Sequence, residues 1–235
     1  MAGDCTLDEF LAPISAALGR EVPLDVPAGV HDTSRGLERE TWSRLTRSEL
    51  ADIFEREGAA VGLEVARCSA DGVADAVCKL AGGWDVQSAV FGDDPLADEY
   101  GIPAALAAAG VDAQRFDASA GRAAVDMAAA ADLGVAFPFA GIARTATVAL
   151  RTDGGSGRSV ALLPPDSVAV LPVKRLVPQM IDVLEALEEE GAGGGAFPSS
   201  VVFATGPSAT SDIELVRVVG VHGPVASAVV LVEEG

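Results

Sequence analysis

Basic residues are scarce in this chain: 16 lysines and arginines stand against 35 aspartates and glutamates in 235 residues, a formal charge of −19. A field of that sign repels phosphate backbones and anionic lipid, so no nucleic acid and no membrane surface is expected as a partner. Cysteine is scarcer still. Cys5, Cys68 and Cys78 share no close spacing and are odd in number. They frame neither a disulfide scaffold nor the four ligands of an iron–sulfur cluster. His-x-x-x-His, Cys-x-x-Cys and Gly-x-Ser-x-Gly are missing from the sequence, which argues against zinc-hydrolase and serine-hydrolase chemistry. The longest mainly apolar run without a formal charge, Val218 to Val232, is interrupted by His222 and Pro224. It falls short of the ~18–20 residues of a membrane span. Asp4, Asp8 and Glu9 occupy the place where a signal peptide would be basic. The expectation is an acidic, cytoplasmic globular protein.

What is present is a large apolar fraction, 49% of residues, enough to build one large core or two small ones. Residues 1–40 differ from the rest. Asp8 to Leu18 has helical spacing in Phe10, Leu11, Ile14 and Leu18, with Gly19 as a stop. Glu21 to Gly36 reads as an extended arm. From about residue 41 strand and helix patterns alternate. Helices are expected over Trp42–Val61, Ala70–Ala81, Pro103–Ala109 and Arg122–Ala131, and strands over Leu63–Arg67, Ser88–Phe91, Ala113–Asp117 and Leu133–Phe137. That alternation predicts βαβ crossovers and a largely parallel sheet.

The pattern then changes. Ile142–Arg151, the glycine turn 154–157 and Ser159–Leu163 read as an antiparallel β-hairpin, followed by a strand over Ser167–Pro172. A helix is expected from Pro178 to Glu190, burying Val183, Leu184 and Leu187. Val201–Ala204 and Ala226–Val232 read as strands buried on both faces. The predicted fold is one α/β domain over residues 41–235, mostly parallel with an antiparallel hairpin insertion, behind an N-terminal helix and arm.

Two turns carry the candidate chemistry. Thr205-Gly-Pro-Ser-Ala-Thr-Ser-Asp-Ile-Glu214 follows an apolar strand. Thr205, Ser208 and Thr210 offer hydroxyls at the carboxyl end of that strand, where open α/β sheets bind ligands. Gly206 lets the chain turn there. Ser211 and Glu214 fit a capping box; Asp212 and Glu214 suit a cation, an arginine or ligand hydroxyls better than a phosphate. Gly220-Val-His-Gly-Pro224 places His222 on a turn, where an imidazole can serve as acid or base or as a plain hydrogen-bonding group. A third segment, Arg144-Thr-Ala-Thr147, sets a guanidinium beside Thr145 and Thr147. It reads either as an anion-binding fork or as an edge-strand charge. Lys174-Arg175 is read as a solvated pair.

These residues resemble the LUD domain family, most closely its LutC/YkgG branch of lactate-utilization proteins. The resemblance rests on Thr205–Glu214 and Gly220–Pro224 in that order and spacing. It rests also on Ile142–Thr147, similar to a family Ile-Ala-Glu-Thr-Gly-Thr segment, and on Leu163-Pro-Pro leading to Lys174-x-x-x-Pro178. It covers residues 85–235 well and 40–84 loosely. It implies a three-layer, Rossmann-like α/β fold of the ribose-5-phosphate isomerase, CoA transferase and formyltetrahydrofolate cyclo-ligase type. It further implies a non-redox subunit of an L-lactate-to-pyruvate oxidation system. No cofactor is then expected in this chain, and iron–sulfur clusters belong to LutA- and LutB-like partner proteins. A small ligand is expected at the carboxyl ends of the strands, among Arg144, Thr145, Thr147, Thr205, Gly206, Ser208, Thr210, Asp212 and Glu214, with His222 as the proton-transfer candidate. A stand-alone enzyme acting on a phosphorylated or acyl-type small molecule, or a pure assembly module, are the alternative readings. Arg144 and Ala146 depart from the family's Glu and Gly, inverting a charge and adding a methyl group.

Overall fold

A computed structural model describes residues 12–13, 16–17, 39–152, 158–195, 197–210 and 218–233. Packing divides the chain into two units, Met1–Thr41 and Trp42–Gly235. In the first, the described residues Ala12, Pro13, Ala16 and Ala17 are helical and exposed; the remainder of the expected Asp8–Leu18 helix and the whole Glu21–Gly36 arm lie outside the described residues.

The second unit opens with helix α1 (Arg47–Val61). Its start is fixed by Thr46, whose hydroxyl accepts from the Glu49 amide while the Glu49 carboxylate accepts from the Thr46 amide at 2.7 Å. This capping box satisfies orphan donors of the first turn, and so the helix does not run unbroken from Trp42 as its apolar spacing predicts. Strand β1 (Glu64–Ser69) follows Gly62, whose φ of 82° ends α1. Then come α2 (Val73–Gly83), β2 (Ser88–Phe91), α3 (Pro95–Glu99), α4 (Ile102–Ala108), β3 (Asp112–Arg115), α5 (Arg122–Ala130) and β4 (Leu133–Ala136). Asp94 caps the short α3 by accepting from the Leu96 amide at 2.9 Å, with Pro95 in the first turn.

Strands β5 (Ala140–Ile142) and β6 (Thr147–Thr152) come next, then helix α6 (Arg158–Leu162), β7 (Asp166–Pro172), β8 (Leu176–Val177), α7 (Met180–Ala192), β9 (Ser200–Thr205), β10 (Ala209–Thr210), β11 (Val218–Val219) and β12 (Ala226–Glu233). Six strands form one parallel sheet in the order β1-β12-β7-β4-β2-β3. Four others form a separate sheet, β8-β5-β6-β9, in which β5–β6 and β6–β9 are antiparallel. The antiparallel insertion therefore builds a second sheet beside the parallel one.

Alternation of side chains assigns the two faces of the parallel sheet. Leu133, Val135, Val168, Val170, Ala228 and Val230 pack with α2 and α4 through Val73, Val77, Ile102 and Leu106. On the other face Ala169, Leu171, Val229 and Leu231 meet α1 and the small sheet through Leu50, Phe54, Val148 and Leu176. Beside them, Val90 and Ala136 meet α5 and α6 through Ala124, Ala128 and Val160. The outer face of the small sheet is closed by α7 through Val183 and Leu187. The result is an α/β architecture: a parallel sheet with helices on one face and, on the other, a layer of helices and the small sheet, over which α7 packs.

Four expectations are corrected. Residues 159–163 are not a return strand: 158–162 form α6, because a short apolar run has no period of its own and Gly134 leaves room for a helix carbonyl against β4. The glycine turn at 154–157 lies outside the described residues. Strand β9 is half-buried, since it edges the small sheet instead of sitting inside the parallel one. The C-terminal helix starts at Met180, not Pro178, because Leu176–Val177 is drawn into pairing with β5 and Gln179 becomes the cap. Leu184 is 45% exposed; only Val183 and Leu187 of its expected stripe are buried.

At the amino end of β4, the Asp132 carboxylate accepts from the Ser88 hydroxyl at 2.8 Å and from the amides of Ser88 and Gln87 at 2.9 and 3.1 Å. These bonds, the Ser88 hydroxyl first, hold its carboxyl below the usual range. Asp166, on the neighbouring strand, is pushed up by burial and then by the Asp132 charge. A lowered carboxyl contributes stability that is present above the unfolded value of about 3.9 and is lost as pH falls through the folded value. Asp132→Ala is expected to lower the urea midpoint most near neutral pH, with the gap narrowing below about pH 4. Urea titrations across that range check it; a pH-independent gap contradicts the assignment.

Candidate functional site

The two glycine-bearing turns meet in space. Gly206 has a φ of 64° and Gly220 a φ of 83°, a left-handed backbone that favours glycine. A Cβ on Gly220 would lie 2.5 Å from Val225 Cγ2, so that turn also needs the missing side chain for space. Ser208 ties the turns together with its backbone: its amide donates to the Pro224 carbonyl at 2.9 Å, and its carbonyl accepts from the Gly220 amide at 2.8 Å. Pairing of β10 with β11 continues the junction.

Behind this junction lies a cavity of about 500 Å³. Its floor is the amino half of β7 and β12, with Ser167, Ala169, Ser227 and Val229. The small sheet forms the roof with Val148, Leu150 and Ala204. The last turn of α1 (Ala60, Val61) and α6 (Ala161, Leu162) close the sides. Thr205, Gly206, Ser208, His222 and Pro224 line the mouth. The location is a correction in one respect. The Thr205 turn does stand at the carboxyl end of its strand, but β9 belongs to the antiparallel sheet, so the cavity opens against the amino halves of the parallel strands β7 and β12.

A chain of hydroxyls runs along the end of the small sheet. Thr145 Oγ1 is 2.7 Å from Thr147 Oγ1, which is 2.6 Å from Thr205 Oγ1. Thr147 and Thr205 pair across β6 and β9. Thr147 is buried, and the two neighbours satisfy its hydroxyl as burial requires. Thr145 and Thr147 do not line the cavity; they join it only through Thr205. Arg144 lies outside it as well, its guanidinium carbon 5.5 Å from the centre of the Trp42 ring. The change of charge at residue 144 thus falls on an exposed stacking contact. Ala146 adopts φ 47°, ψ 45° and is fully buried; glycine takes that backbone without strain, which gives the family's glycine a conformational reason.

Thr210 sits in β10, beside the lining residue Ala209. Asp212, Glu214 and the Ser211 capping box lie outside the described residues. His222 is exposed at the mouth. Sequence reasoning missed Ser167 and Ser227, which place hydroxyls on the cavity floor. Their one signal is a serine at the second position of an otherwise apolar strand, in Asp-Ser-Val-Ala-Val and Ala-Ser-Ala-Val-Val. A smaller cleft of about 260 Å³ lies at the opposite, carboxyl ends of β1, β7 and β12, lined by Arg47, Ser48, Arg67, Val173, Lys174 and Glu233. Arg67 is bound there by Asp52 and Glu233.

Fold and cavity define an α/β protein with a pocket between a parallel and an antiparallel sheet. The LUD domain family model matches residues 51–232, and the chain belongs to that family. It is 31% identical over 230 residues to lactate utilization protein C of Oceanobacillus iheyensis, covering 96% of this chain and 97% of that protein. It is 29% identical over 234 residues to lactate utilization protein C of Bacillus subtilis, covering 97% and 96%. A DUF162 family protein from Deinococcus radiodurans, solved at 1.70 Å, shares the fold with a TM-score of 0.55 at 22% identity, over 81% of this chain and 99% of that one. Among the described residues no helix is long and apolar enough to cross a membrane.

Proposed function

We propose that this chain is the cluster-free subunit of a system that oxidises L-lactate to pyruvate, acting beside two LutA- and LutB-like iron–sulfur proteins, with the cavity as its ligand site. Near full-length similarity to proteins named for lactate utilization supports the pathway. One observation of geometry carries the site: Ser208 joins the two family-like turns over a single cavity whose mouth holds Thr205 and His222. The three scattered cysteines of the sequence are too few for a cluster, which leaves electron carriage to the partners.

Deleting the chain from the organism that carries it is expected to abolish growth on L-lactate and spare growth on pyruvate. Restoring the wild type recovers growth, and restoring His222→Ala recovers it only in part. Normal growth of the deletion strain on L-lactate overturns the reading.

A further inference from the structure

The lining of the cavity narrows its occupant, and this step rests on the reading of the cavity as a ligand site. Among the described lining residues there is no aspartate, glutamate, lysine or arginine. The polar groups are four hydroxyls, Ser167 and Ser227 on the floor and Thr205 and Ser208 at the mouth, together with His222. Everything between them is alanine, valine, leucine, glycine or proline. A carboxylate or phosphate placed inside would give up hydration, at a cost of several kcal/mol per ion, and would find no lysine or arginine among the described lining residues to offset it. The protein's charge of −19 adds long-range repulsion of the same sign.

Size argues the same way. About 500 Å³ falls within the ~300–1,000 Å³ of sites that enclose drug-sized ligands, and a three-carbon hydroxy acid would leave most of it empty. An uncharged apolar body, by contrast, gains roughly 25 cal/mol for each Å² it removes from water, and the hydroxyls of Ser167 and Ser227 supply donors for an oxygen at its inner end.

We infer that this cavity binds an uncharged, largely apolar molecule carrying hydrogen-bonding oxygen, and that lactate, pyruvate and phosphorylated compounds do not enter it. The chain's part in lactate use then runs through a second compound.

The test uses a matched pair of fluorescent probes on the full chain. N-phenyl-1-naphthylamine is uncharged; 8-anilinonaphthalene-1-sulfonate has the same rings and a sulfonate. The expected result is saturable one-to-one binding of the first and at least about tenfold weaker binding of the second, a difference of about 1.4 kcal/mol. Millimolar L-lactate, pyruvate or ribose 5-phosphate leaves the bound probe in place. Displacement by 1-naphthol assigns a ring ligand, and displacement by octan-1-ol a chain. Ala204→Leu fills the roof and is expected to weaken binding about tenfold or more at an unchanged or higher melting temperature. Ala60→Phe, from an exposed position on α1, blocks the side by an independent route and spares the core. No saturable binding, equal affinity for the anionic probe, displacement by lactate, or full binding by both folded variants overturns the inference. Lactate-dependent growth without probe binding leaves the subunit reading standing alone; probe binding without a growth requirement leaves only the ligand class.

Discussion

Gly134→Ala is expected to cost about 3 kcal/mol or more of folding stability, at or beyond the upper end for overpacking a core. Gly134 sits in β4, hydrogen-bonded between β2 and β7 in the interior of the parallel sheet. A Cβ there would lie 1.8 Å from the carbonyl oxygen of Val160 and 2.9 Å from its carbonyl carbon. Both atoms are backbone, so no rotamer relieves the overlap, and α6 must lift from the sheet. That movement carries Ala161 and Leu162 with it, and both form a wall of the cavity. A domain of ordinary stability has about 5–15 kcal/mol in total, so the variant should be marginal. Urea unfolding measures it: the midpoint should drop sharply with little change in slope. A loss below about 1 kcal/mol would show that α6 does not seat on Gly134.

Phe54→Ala is expected to cost about 3–5 kcal/mol, the range for truncating a buried aromatic ring. Phe54 is fully buried at the centre of the cluster that joins α1 to Leu171, Val229 and Leu231 of the parallel sheet and to Leu176 of the small one. Leu50 and Ala51 are its buried companions on α1. The same anchor holds the last turn of α1, with Ala60 and Val61, against the cavity. The stability loss should therefore come with weaker probe binding. Thermal unfolding and probe titration of the same sample check both, and a cost near that of an exposed substitution, about 0.5 kcal/mol, would contradict the packing described here.

Much of this architecture was legible because periodicity and turn residues act locally. Ser88–Phe91 runs from Gln87 to Gly92 with bounds the structure keeps, and the alternation of strands and helices up to Ala136 needs no long-range information. Reading failed where two conformations suit the same short stretch. Arg158–Leu162 is apolar enough for strand or helix, and only the space above Gly134 selects the helix. Leu184 has helical spacing with Val183 and Leu187 yet stays half exposed, because α7 covers the small sheet and buries a narrow stripe. At the site, the turns around Gly206 and His222 were recognisable from their glycines and prolines. Ser167 and Ser227 were not, since a serine near the start of a strand looks the same whether it faces a cavity or solvent.

The sequence by itself determined most elements up to β4, though neither the short α3 nor the break before α1, together with the acidic character, the shortage of cluster ligands and the two turns that mark the family, because each of these is a property of composition or of neighbours along the chain. Tertiary structure alone decided that the antiparallel strands form a second sheet, that Ser208 locks the two turns together, and that Thr147 belongs to a hydroxyl chain while Arg144 stacks on Trp42. It also decided that the cavity is lined without formal charge among the described residues. These depend on which strand faces which across tens of residues of intervening chain. No local pattern encodes that choice; it is set by the packing of whole faces against one another.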